Sequence, residues 1–426
     1  MLESLLSKLR EKKGIVCVLG LGRVGLPLAT IFATRGLKVV GIDTNNERLN
    51  STRNSKCPFH DPLLQESLQK ATQTRNLKVG DKLKENSDID IIFVTVGTPT
   101  TENNNVDYSQ LFSALNEICE INLEGKMIIM RSTMPPKTTV EIVIPFLESK
   151  TKLKAGIDFG IAVCPERILE GQAIIEIQKL PEIIGGINKI SNDIATELFK
   201  IINPKKDILY MTPSGAELAK LFTNIYRYIS FALSNEFAIW AENYGLDATE
   251  LIKAANYNYP RSNIPKPGFV GGPCLGKDGK FLDNNTTFSS IVSTAWKLNE
   301  SIPQHIVNNI KNLVGNIFNK KISVLGLSYK AESDDLRDSP SVKLVNILKS
   351  FGAKVLVHDP YVKSTLDLSK VLESPDIIIL ATNHKEFKDI IPDIRKSHCK
   401  IIYDVWGMFK KEDFPDSAYY RFGQGL

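Results

Sequence analysis

Short apolar runs alternate with amphipathic segments over the first half of the chain. Residues 15–19 form an apolar run that enters a glycine turn, and a second apolar run covers residues 38–42. Further runs lie at residues 89–96, 126–131 and 160–163, and each ends in small or polar residues. Such runs predict buried strands connected by helices, with the carboxyl ends of the parallel strands at one edge of an open sheet.

The pattern is repeated near the C-terminus. Residues 321–327 resemble residues 15–21, residues 351–359 resemble 35–43, and residues 376–382 resemble 90–96. The second copy lacks the later two glycines of the first and carries a long loop at residues 328–337 instead. This copy is therefore not expected to close on a dinucleotide pyrophosphate; we expect a different nucleotide there, with Lys330 supplying charge or hydrogen bonds.

Between the two copies, residues 214–244 have a long helical pattern that Gly245 ends. Lys220 and Asn224 lie four residues apart on one face, and Arg227 follows within reach of it. A charged stripe is often only the solvated face of a helix, so this alternative stays open. The predicted fold is α/β, with two Rossmann-like doubly wound domains joined by a long central helical region; the predicted limits are residues 1–205, 206–310 and 311–426.

The first glycine turn has the full context of a dinucleotide site. The run Gly20-Leu-Gly-Arg-Val-Gly25 follows a strand and opens a helix, and Asp43 lies about 20 residues further on, where an acid binds the ribose hydroxyls. Because this acid would repel the extra phosphate of NADP, NAD is the expected cofactor. A plain strand-turn-helix connection is the alternative.

Composition adds mainly exclusions. The net charge of +5 is spread along the 426 residues, which argues against a nucleic-acid partner. No apolar run is long enough to span a bilayer, and residues 1–13 read as a short amphipathic helix rather than a signal peptide. The six cysteines show neither paired nor metal-ligand spacing, so no metal site is predicted and a reducing cytoplasm is the simplest location.

Cys274 is the residue with the clearest chemistry. It lies in Gly271-Gly-Pro-Cys-Leu-Gly-Lys-Asp278, where four glycines and prolines make a packed strand or helix unexpected. A thiol near a hydride acceptor can capture an aldehyde as a thiohemiacetal that is then oxidised to a thioester. A small buried apolar residue is the alternative role for a free cysteine.

These motifs together resemble the nucleotide-sugar 6-dehydrogenases, which oxidise a UDP-hexose to its uronic acid. The resemblance runs from Gly14 to the C-terminus. It rests on Gly20 to Pro27, Val96 to Pro99, Ser132-Thr133, Pro165-Glu166-Arg167, Lys220 to Arg227, Arg261, Gly271 to Asp278, and Gly326 to Lys330 with Arg337 to Pro340.

The resemblance implies a four-electron oxidation with two successive NAD molecules. It implies that Cys274 captures the aldehyde and that Lys220 is the acid/base and oxyanion stabiliser, assisted by Asn224. Asp278 and Glu166 would organise the hydrolytic water, and Thr133 would hold a water near the reacting carbon. The implied cofactor-binding residues are Gly20, Gly22, Arg23, Val24, Gly25, Asp43, Arg48, Thr98, Ser132, Glu170, Lys277 and Arg337. The implied substrate-binding residues are Arg167, Ile168, Lys220, Asn224, Arg227, Arg261, Gly271, Tyr329 and Lys330.

Two kinds of sugar substrate compete. Arg167 after Pro-Glu, the Asn224-x-x-Arg227 spacing and the residues around Arg261 resemble enzymes for UDP-N-acetylhexosamines, namely UDP-ManNAc or UDP-GlcNAc. Pro273 and Lys277-Asp278 resemble the UDP-glucose type. We expect a UDP-N-acetylhexosamine, with UDP-glucose as the alternative. The resemblance also implies a homodimer or higher homo-oligomer in which the Arg261 loop can reach the neighbouring subunit's site; a plain surface loop is the alternative.

Two other classes would share part of the sequence. A catalytically silent UDP-sugar binding protein would have lost Cys274 or Lys220, and neither is lost. A two-electron hydroxyacid dehydrogenase would have no use for the Cys274 loop or the second nucleotide-type domain. Two NADH per acid formed, rather than one, distinguishes the four-electron reaction.

Overall fold

The chain folds into two compact units, Met1–Thr223 and Asn224–Leu426, in a computed structural model that describes residues 1–85, 88–101, 105–283 and 290–425. The strands are β1 (Ile15–Leu19), β2 (Lys38–Ile42), β3 (Leu77–Gly80), β4 (Ile91–Val94), β5 (Met127–Met130), β6 (Gly160–Val163), β7 (Glu182–Gly186), β8 (Ile208–Tyr210), β9 (Lys321–Leu325), β10 (Lys354–His358), β11 (Ile377–Leu380), β12 (Ile401–Asp404) and β13 (Ala418–Arg421).

Helices connect most of these strands, as the alternating pattern predicts. They are α1 (Leu2–Arg10), α2 (Gly25–Thr34), α3 (Asn46–Arg53), α4 (Pro62–Gln73), α5 (Ser109–Ile118), α6 (Ile144–Thr151), α7 (Ala173–Lys179), α8 (Lys189–Ile202), α9 (Pro213–Asn243), α10 (Ala248–Asn256), α11 (Leu275–Asp283), α12 (Ser290–Val314), α13 (Pro340–Ser350), α14 (Leu368–Val371) and α15 (Ile391–Lys396). In the described part of the chain, no helix has both the length and the apolar character needed to cross a membrane.

The first unit is built on an eight-stranded sheet in the order β3-β2-β1-β4-β5-β6-β7-β8. Its neighbours are parallel except β6 and β7. Every residue of β4 and β5 is buried, which explains why these strands read as continuous apolar runs. The run at 89–96 gives a shorter strand, β4, and after it the Thr95 hydroxyl donates to the carbonyls of Leu19 (2.8 Å) and Gly20 (2.7 Å).

The N-terminal helix predicted at residues 1–13 is α1, and its apolar face belongs to the core of the first unit. Leu2, Leu5, Leu6 and Leu9 are all buried there. Lys8 fixes the helix to the sheet through a 2.7 Å ion pair with Asp90, just before β4. The prediction of an amphipathic helix is therefore confirmed.

The second unit contains a five-stranded parallel sheet in the order β10-β9-β11-β12-β13. Strands β9, β10 and β11 occupy the places that β1, β2 and β4 occupy in the first sheet, as the sequence echo predicts. The glycine at the end of β9 is also kept: Gly326 has a φ of +90°, against +97° for Gly20. The doubly wound α/β class with two Rossmann-like sheets and a long central helix is confirmed.

Candidate active site

The glycine turn after β1 has one closed side and one open side. A Cβ on Gly25 would lie 1.9 Å from the carbonyl oxygen of Gly20 and 2.5 Å from the Thr95 hydroxyl, so the first turn of α2 can approach the strand only with glycine there. A Cβ on Gly22 would meet nothing within 4 Å. Val24 is the residue before the helix begins. The turn thus presents an open edge and a helix N-terminus, which suit a pyrophosphate.

Asp43 is buried at the end of β2 and is held by the glycine turn. Its carboxylate accepts hydrogen bonds from the amides of Leu21 (2.7 Å) and Asn45 (2.8 Å). The guanidinium of Arg48 lies 3.4 Å away, with 45% of its side chain exposed. These contacts fix the carboxylate beside the turn, at the position where such folds bind the adenosine ribose.

Arg23 is fixed on the other side of the turn. Its guanidinium is 2.5 Å from a carboxylate oxygen of Glu170 and lies over the ring of Phe59, 4.7 Å from the centroid. Glu170 belongs to the loop after β6 that also carries Glu166 and Arg167. The structure therefore brings two residues of the cofactor set together and connects the glycine turn with the loop after β6.

The ends of β4 and β5 are joined by hydroxyl contacts. The Thr98 hydroxyl donates to the carbonyl of Thr133 (2.5 Å), and the Ser132 hydroxyl donates to the carbonyl of Val96 (2.6 Å). Thr98 and Ser132 are buried, whereas Thr133 is half-buried. These three residues lie at the carboxyl edge of the sheet, as the sequence predicts.

Glu166 is a buried carboxylate with three hydrogen-bond donors. One oxygen accepts from the backbone amides of Arg167 and Ile168, both at 2.6 Å, and the other accepts from the side chain of Arg131 at 2.9 Å. Arg167 donates through its guanidinium to the carbonyl of Pro181. Arg131 was not among the residues predicted from the sequence. Its position directly before Ser132-Thr133, as a charged residue ending an apolar strand, was the available signal.

The start of α9 is anchored by a second residue that sequence reasoning missed. Glu217 is buried and accepts from the amides of Lys137 (2.6 Å) and Thr139 (2.9 Å) and from the Thr139 hydroxyl (2.6 Å). Burial raises the pKa of Glu217, against these hydrogen bonds. Lys220 follows three residues later and is also buried. These contacts of Glu217 hold the start of α9 in the first unit, whereas the sequence around Glu217 predicts only a helix.

The expectation that no helix forms around Cys274 is wrong in part. The turn persists to Cys274, which is exposed, but α11 begins at the next residue and contains Gly276, Lys277 and Asp278. The turn is tight because Gly272 has a φ of +93°. Cys274 thus lies directly before the N-terminus of α11, near the positive end of the helix dipole.

Two predicted catalytic residues, Asn224 and Asp278, form a hydrogen bond next to this turn. The side-chain amide of Asn224 on α9 donates to Asp278 at 2.6 Å, and both residues are buried. The Asp278 amide bonds the Cys274 carbonyl at 3.0 Å, which fixes the turn to the helix. Arg227 is exposed instead of sharing this buried face, and Lys277 lies over the ring of Phe281 at 4.9 Å.

The Cys274 turn packs on the loop of the second nucleotide-type sheet. A Cβ on Gly272 would lie 2.6 Å from the ring of Tyr329, and one on Gly271 would lie 2.4 Å from Pro340. The amide of Gly272 also donates to the carbonyl of Asp338 at 3.2 Å. The structure therefore brings Gly271 and Gly272 of the Cys274 turn together with Tyr329 and Pro340 within one unit.

The second sheet also has an acid after β10, Asp359, and a histidine ring lies against it. Asp359 accepts from the amides of Leu327 (2.7 Å) and Ser328 (3.0 Å), as Asp43 does from Leu21, and it also meets the ring of His384 at 3.1 Å. Burial raises the pKa of Asp359, but the hydrogen bonds from His384 and the two amides outweigh this effect and lower the pKa to about 2. In this sheet the His384 ring occupies hydrogen-bonding capacity of the acid that a ribose would need, in agreement with the sequence expectation of a different ligand.

Three further predicted residues lie on more open parts of the second unit. Lys330 is half-buried in the loop that replaces the later glycines. Arg337 is exposed, and its guanidinium forms a two-pronged contact with Asp335, 2.6 Å at the closest. Arg261 is exposed, and its guanidinium lies 4.5 Å from the centroid of the Tyr259 ring.

Comparison with known proteins assigns each part of the chain to one family. Models of the UDP-glucose/GDP-mannose dehydrogenase family match its NAD binding domain at residues 14–203, its central domain at 214–302 and its UDP binding domain at 323–411.

Individual relatives cover nearly the whole chain. A UDP-N-acetyl-D-mannosamine dehydrogenase of Pyrococcus horikoshii is 35% identical over 382 residues, covering 88% of this chain and 90% of the relative. A protein of the same name from Campylobacter jejuni is 34% identical over 408 residues, covering 90% and 98%. A solved structure of the Pyrococcus horikoshii UDP-D-ManNAc dehydrogenase has a TM-score of 0.90 at 34% identity and covers 96% of this chain and 99% of that one.

Proposed function

The chain belongs to the UDP-glucose/GDP-mannose dehydrogenase family of NAD-dependent enzymes that oxidise nucleotide sugars, and we propose that it oxidises C6 of UDP-N-acetylmannosamine to the uronic acid through Cys274. The observation that carries the proposal is the exposed Cys274 directly before α11. The turn that carries it is joined to the buried Asn224–Asp278 pair and packs on Tyr329 through Gly272. A silent binding protein would need none of this chemistry.

The first unit provides the residues that fit NAD. The open edge at Gly22 and the start of α2 are the place for the pyrophosphate, and Asp43 is the acceptor for the ribose hydroxyls. Arg48, Thr98, Ser132 and Glu170 complete the proposed set on this unit, with Lys277 and Arg337 proposed from the second unit. When bound, NAD accepts the hydrides that leave C6, one in each of two successive rounds.

The residues around the thiol divide the reaction between them. Lys220 removes the hydroxyl proton in the first oxidation and then stabilises the oxyanion, with the amide of Asn224 as a second donor. The Cys274 sulfur bonds to the aldehyde carbon, and the resulting thiohemiacetal stays attached to the protein until its oxidation to a thioester. Retention of the aldehyde follows from this bond.

Hydrolysis releases the acid. A water oxygen attacks the thioester carbon, the carbon–sulfur bond breaks, and Cys274 regains its thiol. We assign the orientation of this water to Asp278 and Glu166, and a second water near the reacting carbon to Thr133. Arg167, Ile168, Arg227, Gly271, Tyr329 and Lys330 are proposed to bind the UDP-sugar, with Lys330 on the UDP half.

The acetylhexosamine is favoured over glucose by the names of the relatives and by residues of the sequence motifs. Curated relatives that cover most of the chain are named for UDP-N-acetyl-D-mannosamine. Arg167, the Asn224-x-x-Arg227 spacing and the residues around Arg261 agree with this class, whereas Pro273 favours the UDP-glucose type. A panel of UDP-ManNAc, UDP-GlcNAc and UDP-glucose, read as NADH absorbance, tests the choice. Highest kcat/KM with UDP-glucose would reject the proposed substrate.

We further propose a homodimer formed through α9. Tyr226, Leu233 and Trp240 are 67%, 45% and 51% exposed and recur at seven-residue spacing, which places them on one side of the helix. An apolar stripe of this kind is typical of a helix that packs against a partner. The exposed Arg261 loop, with Tyr257 and Tyr259, is proposed to complete the partner's site.

Mixing inactive subunits tests the shared site. Chains carrying Arg261→Ala or Cys274→Ser should be inactive alone, whereas one site of a mixed dimer would hold both native residues if the site is shared. We expect partial recovery of NADH production after the chains exchange. Verified mixed dimers without recovered activity would assign Arg261 to its own subunit or exclude it from the site.

We propose that the enzyme works in the cytoplasm and supplies an activated uronic acid for polysaccharide biosynthesis. In the described part of the chain no disulfide joins the cysteines, and a reducing compartment would keep the proposed nucleophile active. Cell fractionation with antibody detection is the test, and recovery with secreted proteins would contradict the location.

A further inference from the structure

Arg131 holds the loop after β6 at two points. Its guanidinium donates to the Cys164 carbonyl at 3.1 Å, just before the loop, and to the Glu166 carboxylate at 2.9 Å, within it. The side chain is 2% exposed and its charged group also lies over the ring of Phe199, 5.2 Å from the centroid. A planar, permanently charged fork in this position fixes the direction of the carboxylate that it pairs with.

The buried acidic and basic side chains around the Arg131 guanidinium are equal in number. A second buried carboxylate, Glu182, accepts from Arg131 at 2.8 Å, and the ammonium of Lys206 lies 3.8 Å from Glu182. Burial raises the pKa of Glu182 despite both cations, and burial lowers the pKa of Lys206 against the pull of Glu182. Two buried acids and two bases are costly to desolvate, and an apolar cluster of the same volume would stabilise the fold as well or better. Positioning is the better explanation of the cluster.

The hydrogen-bond capacity of Glu166 shows what is positioned. An ionised carboxylate accepts about four hydrogen bonds. Within the described residues, Glu166 accepts three: two backbone amides at one oxygen, and Arg131 at the other. The oxygen bound to Arg131 thus keeps room for one more donor, and 7% of the residue is exposed. A single water in a fixed direction fits this capacity.

We propose that Arg131 is the positioning residue that orients Glu166 for the water that hydrolyses the Cys274 thioester. This inference rests on the proposed function. In this role Arg131 fixes the direction of the Glu166 carboxylate. Glu166 accepts a water proton as the water oxygen bonds to the carbonyl carbon, the carbon–sulfur bond breaks, and Cys274 leaves as a thiolate. The two hydride transfers precede this step and do not need the water.

Stopped-flow kinetics of the full-length enzyme with saturating NAD and UDP-ManNAc test the proposal. If deacylation becomes limiting, a burst of two NADH per active site precedes a slow steady state, and the thioester on Cys274 is seen by intact-mass spectrometry after an acid quench. For Arg131→Gln we expect a steady-state rate about 100-fold lower, the loss that follows displacement of a reacting group by about 1 Å. The burst rate should stay within about threefold of the wild-type rate.

Two further variants separate positioning from folding. Arg131→Lys keeps the charge but not the fork, so its ratio of steady-state to burst rate should lie between those of the wild type and Arg131→Gln. Glu182→Gln is the matched control, since it disturbs the same buried cluster without touching the Glu166 loop, and it should change both phases equally and slightly. If Arg131→Gln does not fold, the comparison of Arg131→Lys with Glu182→Gln carries the test.

Different outcomes test the positioning role of Arg131 and the proposed thioester mechanism on which it rests. A ratio of steady-state to burst rate that stays at the wild-type value in both Arg131 variants would overturn the positioning role, whether or not both phases slow. A wild-type enzyme that yields one NADH per product and no adduct on Cys274 would instead overturn the thioester mechanism. Accumulation of the thioester on Cys274 in the Arg131 variants alone would support both the positioning role and the thioester mechanism.

Discussion

Gly22 and Gly25 lie three residues apart in one turn, yet a methyl group should have opposite effects at the two positions. At Gly25 the added carbon would lie 1.9 Å from the Gly20 carbonyl oxygen, and real contacts of this kind essentially never fall below 3.0 Å. The helix must therefore move by roughly 1 Å, and overpacking of this kind costs about 1–3 kcal/mol. At Gly22 no heavy atom lies within 4 Å, so the free energy of unfolding should change by less than about 0.5 kcal/mol.

The same open side is where the pyrophosphate of NAD is expected. A methyl group on Gly22 would occupy that space, so Gly22→Ala should raise the dissociation constant for NAD by about tenfold or more, which corresponds to about 1.4 kcal/mol. Gly25→Ala should lose both stability and NAD binding. The assays are urea unfolding without cofactor and a calorimetric titration with NAD.

Gly22→Ala and Gly25→Ala serve as controls for each other. Gly22→Ala with wild-type stability and wild-type NAD affinity would show that the open side does not face the cofactor. Gly25→Ala with wild-type stability would show that the close approach of α2 to β1 does not limit the side chain. Either result would refute the reasoning about this turn.

Three other perturbations address separate residues. Asp43→Ala should raise the KM for NAD and relax discrimination against NADP, and an unchanged preference would disconnect Asp43 from the ribose. Lys330→Ala should weaken UDP-sugar binding and leave NAD affinity nearly unchanged in a calorimetric titration; equal losses would contradict the assignment of UDP to the second sheet. Asp359 has its pKa lowered from 3.8 to about 2, so its stabilisation is present above pH 4 and is lost as the pH falls towards 2. Asp359→Asn should therefore cost about 2 kcal/mol of unfolding free energy at pH 7 and progressively less below pH 4, and a difference independent of pH would contradict this linkage.

The sequence predicted the strands and glycine turns because their patterns are local. The apolar runs, the repeated copy and the helix at α9 each depend on residues close in the chain, and all three agree with the structure. The residues that meet from distant segments were not accessible in this way. Arg131 and Glu166 are 35 residues apart, and Glu217 and Thr139 are 78 apart, so neither pairing has a local signal.

The turn at Cys274 shows a limit of a different kind. Glycine and proline predict a break, and Gly272 does adopt a positive φ, but Gly276 and Gly279 lie inside α11. A glycine costs roughly 1 kcal/mol in a helix, which tertiary packing can outweigh. Beside Gly279 the space is tight, since an added Cβ would lie 2.8 Å from Val292. The helix therefore depends on packing that composition does not reveal.

The stoichiometry of NADH formation tests the four-electron reaction most directly. The purified enzyme is given limiting UDP-ManNAc with excess NAD, and the total NADH at completion is compared with the sugar consumed. Capture of the aldehyde by Cys274 predicts two NADH for each UDP-ManNAc and an acid as the only product. One NADH for each sugar, with a free aldehyde released, would contradict the account.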